Sequence, residues 1–431
     1  MLYCLRMGAE QKRVAIIGGG ISGLGAAYLL RREASLTLYE RNAYLGGHSR
    51  TLEAEVEGAN VPVDTGFIVY NEKNYPLLSR LFEELSVPVV KTDMSFGVSI
   101  GDGWLEFGSV GLRGLFGSFR NALSPRMWGM VMDILKFNKE AMAYAESDPA
   151  LSLADCLDEI GVGEWFRKYY LLPMGGSIWS CPVEEMLRFP AASFIRFFNN
   201  HGLLTVSDHP QWFSVLGGSR EYVRRLVGAI GSDLHVRPAA VRVERESSGG
   251  GVLVHDTEGG HERYDDVIFA THADVTMKLL ENPSEDEQSV LSAFQFKRNK
   301  VVLHTDTSFM PRRRSAWSSW VYRSDRTEDR SQAISLSYWM NNLQALETDV
   351  PVIVTLNPSR EPAKGTELDT HYFSHPMFDE KAIRAQARIP DIQGCDRLWF
   401  CGAWQRNGFH EDGLWSAAEV VRKMGVKIPW E

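Results

Sequence analysis

The stretch Arg13–Glu40, RVAIIGGGISGLGAAYLLRREASLTLYE, decides the fold. It reads as a short apolar strand ending at Ile17, a turn Gly18-Gly19-Gly20-Ile21-Ser22-Gly23, a helix through Leu30, and a second strand, Leu36–Tyr39, that runs into Glu40. Each glycine has its own task. Gly18 makes the tight turn, Gly20 lets the backbone approach a pyrophosphate, and Gly23 allows the helix to pack close to the strand. The pyrophosphate would sit against the first helical turn, at Ile21 and Ser22, where the helix dipole is positive. Glu40, followed by Arg41, is placed to accept hydrogen bonds from an adenosine ribose, and its charge disfavours a 2′-phosphate. Strand, glycines, helix, strand and acid in this order argue against a glycine turn without a ligand.

Around this motif lies a chain of 431 residues, 44% hydrophobic and 23% charged, without a long low-complexity tract. Such a composition predicts a folded protein of two or three domains at about 150 residues each. Lys and Arg number 46 against 55 Asp and Glu, a net charge of −9 that argues against nucleic acid as a partner. The five cysteines, Cys4, Cys156, Cys181, Cys395 and Cys401, are scattered and show no zinc-type spacing. They point to a reducing, cytoplasmic location and to no metal site. Met1–Arg13 is too short and polar for a signal peptide, and no run of apolar residues is long enough to span a bilayer.

After Glu40 comes a second glycine pair, Leu45-Gly46-Gly47-His48-Ser49-Arg50-Thr51, then Val63-Asp64-Thr65-Gly66-Phe67 and a helical stretch from Tyr75 to Leu85. Here the sequence resembles the flavin-containing amine oxidase superfamily, which includes monoamine and polyamine oxidases and phytoene desaturases. The resemblance implies FAD, with Gly46, Gly47 and His48 near the pyrophosphate and Thr65, Gly66 and Phe67 in a turn passing the flavin. His48 stands where the superfamily usually has arginine, with Arg50 two residues on. No cysteine stands at the position used for covalent attachment, so the FAD is expected to be non-covalent. Leu216-Gly217-Gly218-Ser219 resembles the superfamily's return to the cofactor domain. The strands that follow carry Val241, implied to meet adenine through its backbone, and end at Ala270-Thr271.

The C-terminal run Leu398-Trp399-Phe400-Cys401-Gly402-Ala403, then Phe409-His410-Glu411-Asp412-Gly413-Leu414 and a helix from Trp415 to Met424, completes the resemblance. Gly402, Asp412, Gly413 and Leu414 are implied to receive the ribityl and pyrimidine end of FAD, while the carboxylate usual after the first glycine is replaced by Ala403. The Phe-His-Glu-Asp-Gly-Leu run narrows the likeness to a branch of NAD/FAD-binding proteins associated with cyclopropane-fatty-acid synthases.

Two residues are candidates for chemistry. His410 falls where amine oxidases carry a cage tyrosine. It would serve either as an acid or base near neutral pH or only as a hydrogen-bonding group. Lys300 opens the strand Val301–Leu303, where many amine oxidases hold a water with lysine; a solvated strand end is the alternative. His371 and His375 have i,i+4 spacing but no helical pattern around them. Phe119, Met127, Trp128, Met130, Met132, Ile134 and Leu135 suit a substrate-domain helix packed in a core, with a membrane-facing role as the alternative.

The expected architecture is α/β: a discontinuous Rossmann-like FAD domain from residues 10–90, 215–275 and 390–431, with an interleaved α+β substrate domain from 91–214 and 276–389. The resemblance implies an FAD-dependent oxidoreductase acting on a small molecule or a lipid acyl chain, with peripheral membrane contact and a lipid methyltransferase as candidate partners. Amine oxidation, redox-neutral isomerisation and a non-catalytic flavoprotein role are the alternatives.

Overall fold

A computed structural model describes residues 11–109, 111–116, 118–148, 151–179, 186–205, 209–232, 234–246, 250–324 and 335–430. Five parallel strands form one sheet in the order Leu234–Arg237, Ala34–Tyr39, Lys12–Ile17, Asp266–Phe269 and Leu398–Phe400. The start, middle and end of the chain therefore meet in one sheet. Side chains alternate across it: Val14 and Ile16 enter one core, and Ala15 and Ile17 enter the other. One face is covered by the helices Ile21–Leu30, Pro76–Glu84, Arg220–Ile230 and His410–Lys423. Against the other pack a three-stranded antiparallel sheet, Ala240–Arg245, Val252–Asp256 and His261–Tyr264, and short helices that include Glu285–Leu291.

A seven-stranded sheet runs in the order Glu367–Met377, Gln295–His304, Ile353–Leu356, Ser335–Trp339, Trp320–Ser324, Phe96–Ile100 and Leu105–Gly108. Helices Pro125–Ser147, Leu153–Ile160 and Ala191–Asn200 share a core with it. The hairpin Thr51–Val56 and Ala59–Asp64 contributes Ala54, Val56, Val61 and Val63 to that core.

The sequence places several elements to within a residue. Helix Pro76–Glu84 matches the stretch expected from Tyr75 to Leu85. The last helix begins earlier than expected, at His410 and not at Trp415, so His410, Glu411 and Asp412 lie in its first turn. Among the described residues no helix is long and apolar enough to cross a membrane. Cys156 and Cys401 are buried thiols and Cys395 is an exposed one, all three free; Cys4 and Cys181 lie outside the described residues.

Candidate functional site

The glycine turn is held by the protein's own backbone. Gly18 N donates to Tyr39 O at 2.8 Å, and its φ of +109° belongs to glycine. A Cβ on Gly18 would stand 2.7 Å from Ala270 O, and one on Gly23 would stand 1.9 Å from Gly18 O. Gly20 is different. Its φ of −81° suits any residue, and the nearest atom to a Cβ there is Gly47 Cα at 3.9 Å. The protein itself does not require a glycine at position 20.

Gly20 is also the N-cap of the helix Ile21–Leu30, and no side chain caps it. The amides of the first turn, through Ile21, Ser22 and Gly23, thus face a space kept clear of side chains, an arrangement suited to an anion. The second glycine pair closes over this turn: Gly46 N donates to Gly19 O at 2.7 Å, and Gly20 and Gly46 form a parallel bridge. The helix His410–Lys423 brings a second N-terminus alongside, since a Cβ on Gly413 would stand 2.8 Å from Ile21 Cγ2 and 2.9 Å from Ser22 Oγ. Leu414 packs on Gly25, where a Cβ would come within 2.7 Å of it.

Glu40 lies at the end of its strand, as expected. Its Oε2 accepts from Gly19 N and its Oε1 from Asn42 N, both at 2.7 Å; Arg41 beside it is exposed. Val241 sits where the register between Ala240–Arg245 and Val252–Asp256 shifts, a bulge that leaves its backbone outside the ladder. Thr271 bonds Thr276 through its hydroxyl at 2.8 Å and accepts from Trp404 Nε1 at 3.1 Å. Gly402 N donates to Ser416 Oγ at 2.8 Å. Asp412 is engaged by its own loop, accepting from Phe409 N at 2.9 Å and Asn407 N at 3.2 Å, and burial raises its pKa to about 6.

The turn Thr65-Gly66-Phe67 is pinned to the second glycine element. Phe67 N donates to His48 O at 2.9 Å, and a Cβ on Gly66 would lie 2.0 Å from that same oxygen. Phe67 stacks on His410 at 3.9 Å between ring centroids. His410 Nε2 is hydrogen-bonded to the Tyr222 hydroxyl at 2.6 Å and to Ser49 Oγ at 3.2 Å, and these two hydroxyls are 2.5 Å apart. Desolvation depresses the His410 pKa to about 3, so the imidazole is neutral at physiological pH.

His48 forms the wall toward the seven-stranded sheet. It stacks on Phe373 at 4.6 Å and lies 5.6 Å from His375 and 6.1 Å from His272. Burial pushes the pKa of each of these three histidines down, His375 to about 4. His371, Phe373 and His375 share one face of their strand, and Asn299 opposite bonds His375 Nδ1 at 2.9 Å. Among the described residues no group of three or more His, Cys, Asp or Glu is arranged to hold a metal ion.

Lys300 does not join this wall. It neighbours Asn299 in an extended strand, so it points to the opposite face, where its Nζ pairs with Glu361 at 2.7 and 2.8 Å. Asn299, on the other face, is the neighbour that meets His375. Arg50, near the missing arginine position, is likewise engaged, bonding Asp369 at 2.7 Å and Thr65 Oγ1 at 3.2 Å.

Sequence reasoning missed four further contributors. Tyr222 and Ser49 anchor His410. Glu411 caps the helix Pro76–Glu84 by accepting from Leu77 N at 2.9 Å and Leu78 N at 3.0 Å, and burial raises its pKa to about 7. Asp64 was read only as part of a turn. It is fully buried, accepts from Ser219 N, Ser219 Oγ, Thr51 Oγ1 and Gln344 Nε2, and so ties its hairpin to the start of helix Arg220–Ile230 and to Gln344.

Comparison with known proteins agrees with this architecture. Residues 16–85 match the model of an NAD(P)-binding Rossmann-like domain. A carotenoid phi-ring synthase from Streptomyces griseus is 37% identical over 78 residues, which is 18% of this chain and 15% of that protein. The CLA-producing fatty acid isomerase from P. acnes superposes with a TM-score of 0.68 at 15% identity, covering 97% of this chain and 100% of that one. Cyclohexylamine oxidase from Brevibacterium oxydans IH-35A gives 0.65 at 17% identity, covering 96% and 100%. The chain thus has a Rossmann-like dinucleotide-binding unit within an amine-oxidase-like fold.

Proposed function

We propose that this protein is an FAD-dependent oxidoreductase that removes a hydride from a C–H bond of an organic substrate, and that the substrate is a lipid acyl chain. One observation carries the cofactor reading: Gly20 has room for a side chain, yet stands as glycine over an uncapped helix N-terminus. Bound FAD supplies the hydride acceptor, so the protein need only hold the substrate, exclude water and manage a proton.

In this reading Gly18, Gly20, Ile21, Ser22 and Gly23 hold the pyrophosphate together with Gly46, Gly47 and His48. Glu40 and Arg41 serve the ribose, and the Val241 backbone serves the adenine beside Thr271. Thr65, Gly66, Phe67, Gly402, Asp412, Gly413 and Leu414 surround the flavin end. The domain division at 10–90, 215–275 and 390–431 against 91–214 and 276–389 belongs to the same proposal. His410 is a neutral positioning residue, fixed by Tyr222, Ser49 and Phe67.

The acyl-chain reading is favoured over an amine by the state of His410. It is an imidazole where a two-tyrosine amine cage needs a phenol ring, and one face of that ring is taken by Phe67. Redox-neutral isomerisation is the second reading, favoured by the likeness to a fatty acid isomerase. A cytoplasmic setting and a lipid methyltransferase as functional partner complete the proposal.

The test is anaerobic mixing of the flavin-loaded protein with phospholipids or fatty acids, and separately with amines, while flavin colour is followed. Bleaching by acyl substrates supports dehydrogenation. Turnover that needs pre-reduced flavin without net oxidation favours the isomerase, and bleaching by amines alone refutes the lipid proposal.

A further inference from the structure

The helix Pro125–Ser147 is apolar on two faces, and among the described residues only one of them is buried. Met127, Met130, Ile134, Phe137, Ala141 and Ala145 are buried against the seven-stranded sheet and its neighbouring helices. Trp128, Met132 and Leu135 form a second stripe at i, i+4 and i+7 and are 51%, 63% and 46% exposed. The preceding turn adds Phe119 at 82% and Leu123 at 66%. Half of the exposed large apolar side chains among the described residues thus fall between Phe119 and Leu135. This corrects the expectation that the whole stretch packs in a core. Trp128 donates its Nε1 proton to Ala122 O at 2.9 Å and stacks on Phe116 at 4.6 Å, so its ring offers apolar surface with its polar group already satisfied.

Charge says what would cover this face. The chain carries −9 overall, yet from Phe107 to Met132 it has three arginines, Arg113, Arg120 and Arg126, and no Asp or Glu. All three arginines are exposed. Lys139 continues the outer stripe one turn beyond Leu135 and is exposed as well. The helix Gly111–Leu115 packs against the turn Arg314–Ala316, which connects this region to a cleft lined by Arg312, Arg314, Arg323 and Arg360, with Asp102 paired to Arg312. Asp133, the first carboxylate beyond Met132, is half-buried and accepts from Gly163 N at 2.9 Å. An anionic bilayer offers both acyl chains for the apolar side chains and phosphates for the arginines.

We propose that Phe119, Leu123, Trp128, Met132 and Leu135, ringed by Arg113, Arg120 and Arg126, form a docking surface for anionic phospholipid bilayers. The surface is peripheral: the side chains enter the headgroup and upper acyl region while the helix lies along the membrane. The proposal stands whether or not the substrate is a lipid, because it concerns binding and not turnover.

The test is co-sedimentation of the full chain with vesicles of phosphatidylglycerol and phosphatidylcholine, and with vesicles of phosphatidylcholine alone. The wild type should bind the anionic vesicles, and added salt should weaken binding as it screens the arginines. F119S/L123S/M132S should bind at least tenfold more weakly. R113Q/R120Q should lose affinity for the anionic vesicles only. All these side chains are exposed, so urea midpoints should be unchanged, and the two variant sets check each other should one fail to fold. Failure of the wild type to bind anionic vesicles, or equal binding by F119S/L123S/M132S, would overturn the proposal. So would a dimer in sedimentation velocity that F119S/L123S/M132S dissociates, since a second copy would then be the occupant.

Discussion

Gly20→Ala and Gly23→Ala separate what the protein needs from what its ligand needs. At Gly23 a Cβ would lie 1.9 Å from Gly18 O, a backbone atom in a turn fixed by the Gly18–Tyr39 hydrogen bond. The helix that carries Gly23 is buried along its whole length and cannot shift to relieve the clash. Overpacking of this kind costs about 1–3 kcal/mol where the surroundings give and more where they do not, so Gly23→Ala should destabilise by about 3 kcal/mol or more. At Gly20 the new Cβ meets nothing closer than 3.9 Å, at a backbone angle alanine adopts freely. A gain of about 0.4–1 kcal/mol from a stiffer unfolded chain is offset by a loss of similar size at the N-cap, leaving stability within about 1 kcal/mol of wild type.

The same Cβ would occupy the approach to the first-turn amides. Losing one charge-assisted hydrogen bond to phosphate costs about 1.5–3 kcal/mol, which weakens FAD binding about 10- to 150-fold. Urea unfolding of the flavin-stripped proteins and FAD titration by fluorescence quenching read the two effects separately. Unchanged FAD affinity in Gly20→Ala would refute the reasoning, as would its unfolding, because each denies that the open space belongs to the cofactor.

Two further outcomes follow from the site. His410 has a pKa near 3 in the folded protein against an ordinary 6.5, so its contribution to stability is complete above pH 6.5 and is lost as pH falls toward 3. Between pH 6.5 and 4.5 the wild type should therefore lose about 2 kcal/mol more than His410→Gln, the slope rising toward about 1.4 kcal/mol per pH unit below pH 6; parallel losses in urea midpoints would show that the ring is not desolvated. Lys300→Met removes only the outward pair with Glu361, one partner of which is 70% exposed, so kcat and flavin content should stay within about twofold of wild type. A loss of a hundredfold would restore the lysine to the flavin.

What was legible in the sequence was local. The turn from Gly18 to Gly23 brings its strand, helix and acid within a few tens of residues, so spacing alone identifies it. The anchors of His410 were hidden because Tyr222 and Ser49 reach it from distant parts of the chain. Lys300 failed on strand parity: a one-residue difference reverses the face, and the basic run Lys297-Arg298-Asn299-Lys300 contains no hydrophobic alternation to fix it. The start of the last helix was obscured because Glu411 and Asp412 look like loop residues, whereas each satisfies amides at a helix start. Periodicity found the apolar residues of Pro125–Ser147, but a helix apolar on two faces does not reveal which face is left uncovered.

Purification of the full chain followed by acid precipitation tests the central claim most directly. A yellow protein that releases one equivalent of FAD into the supernatant, leaving a colourless pellet, is the predicted result. A colourless protein that takes up no FAD on titration would contradict the account.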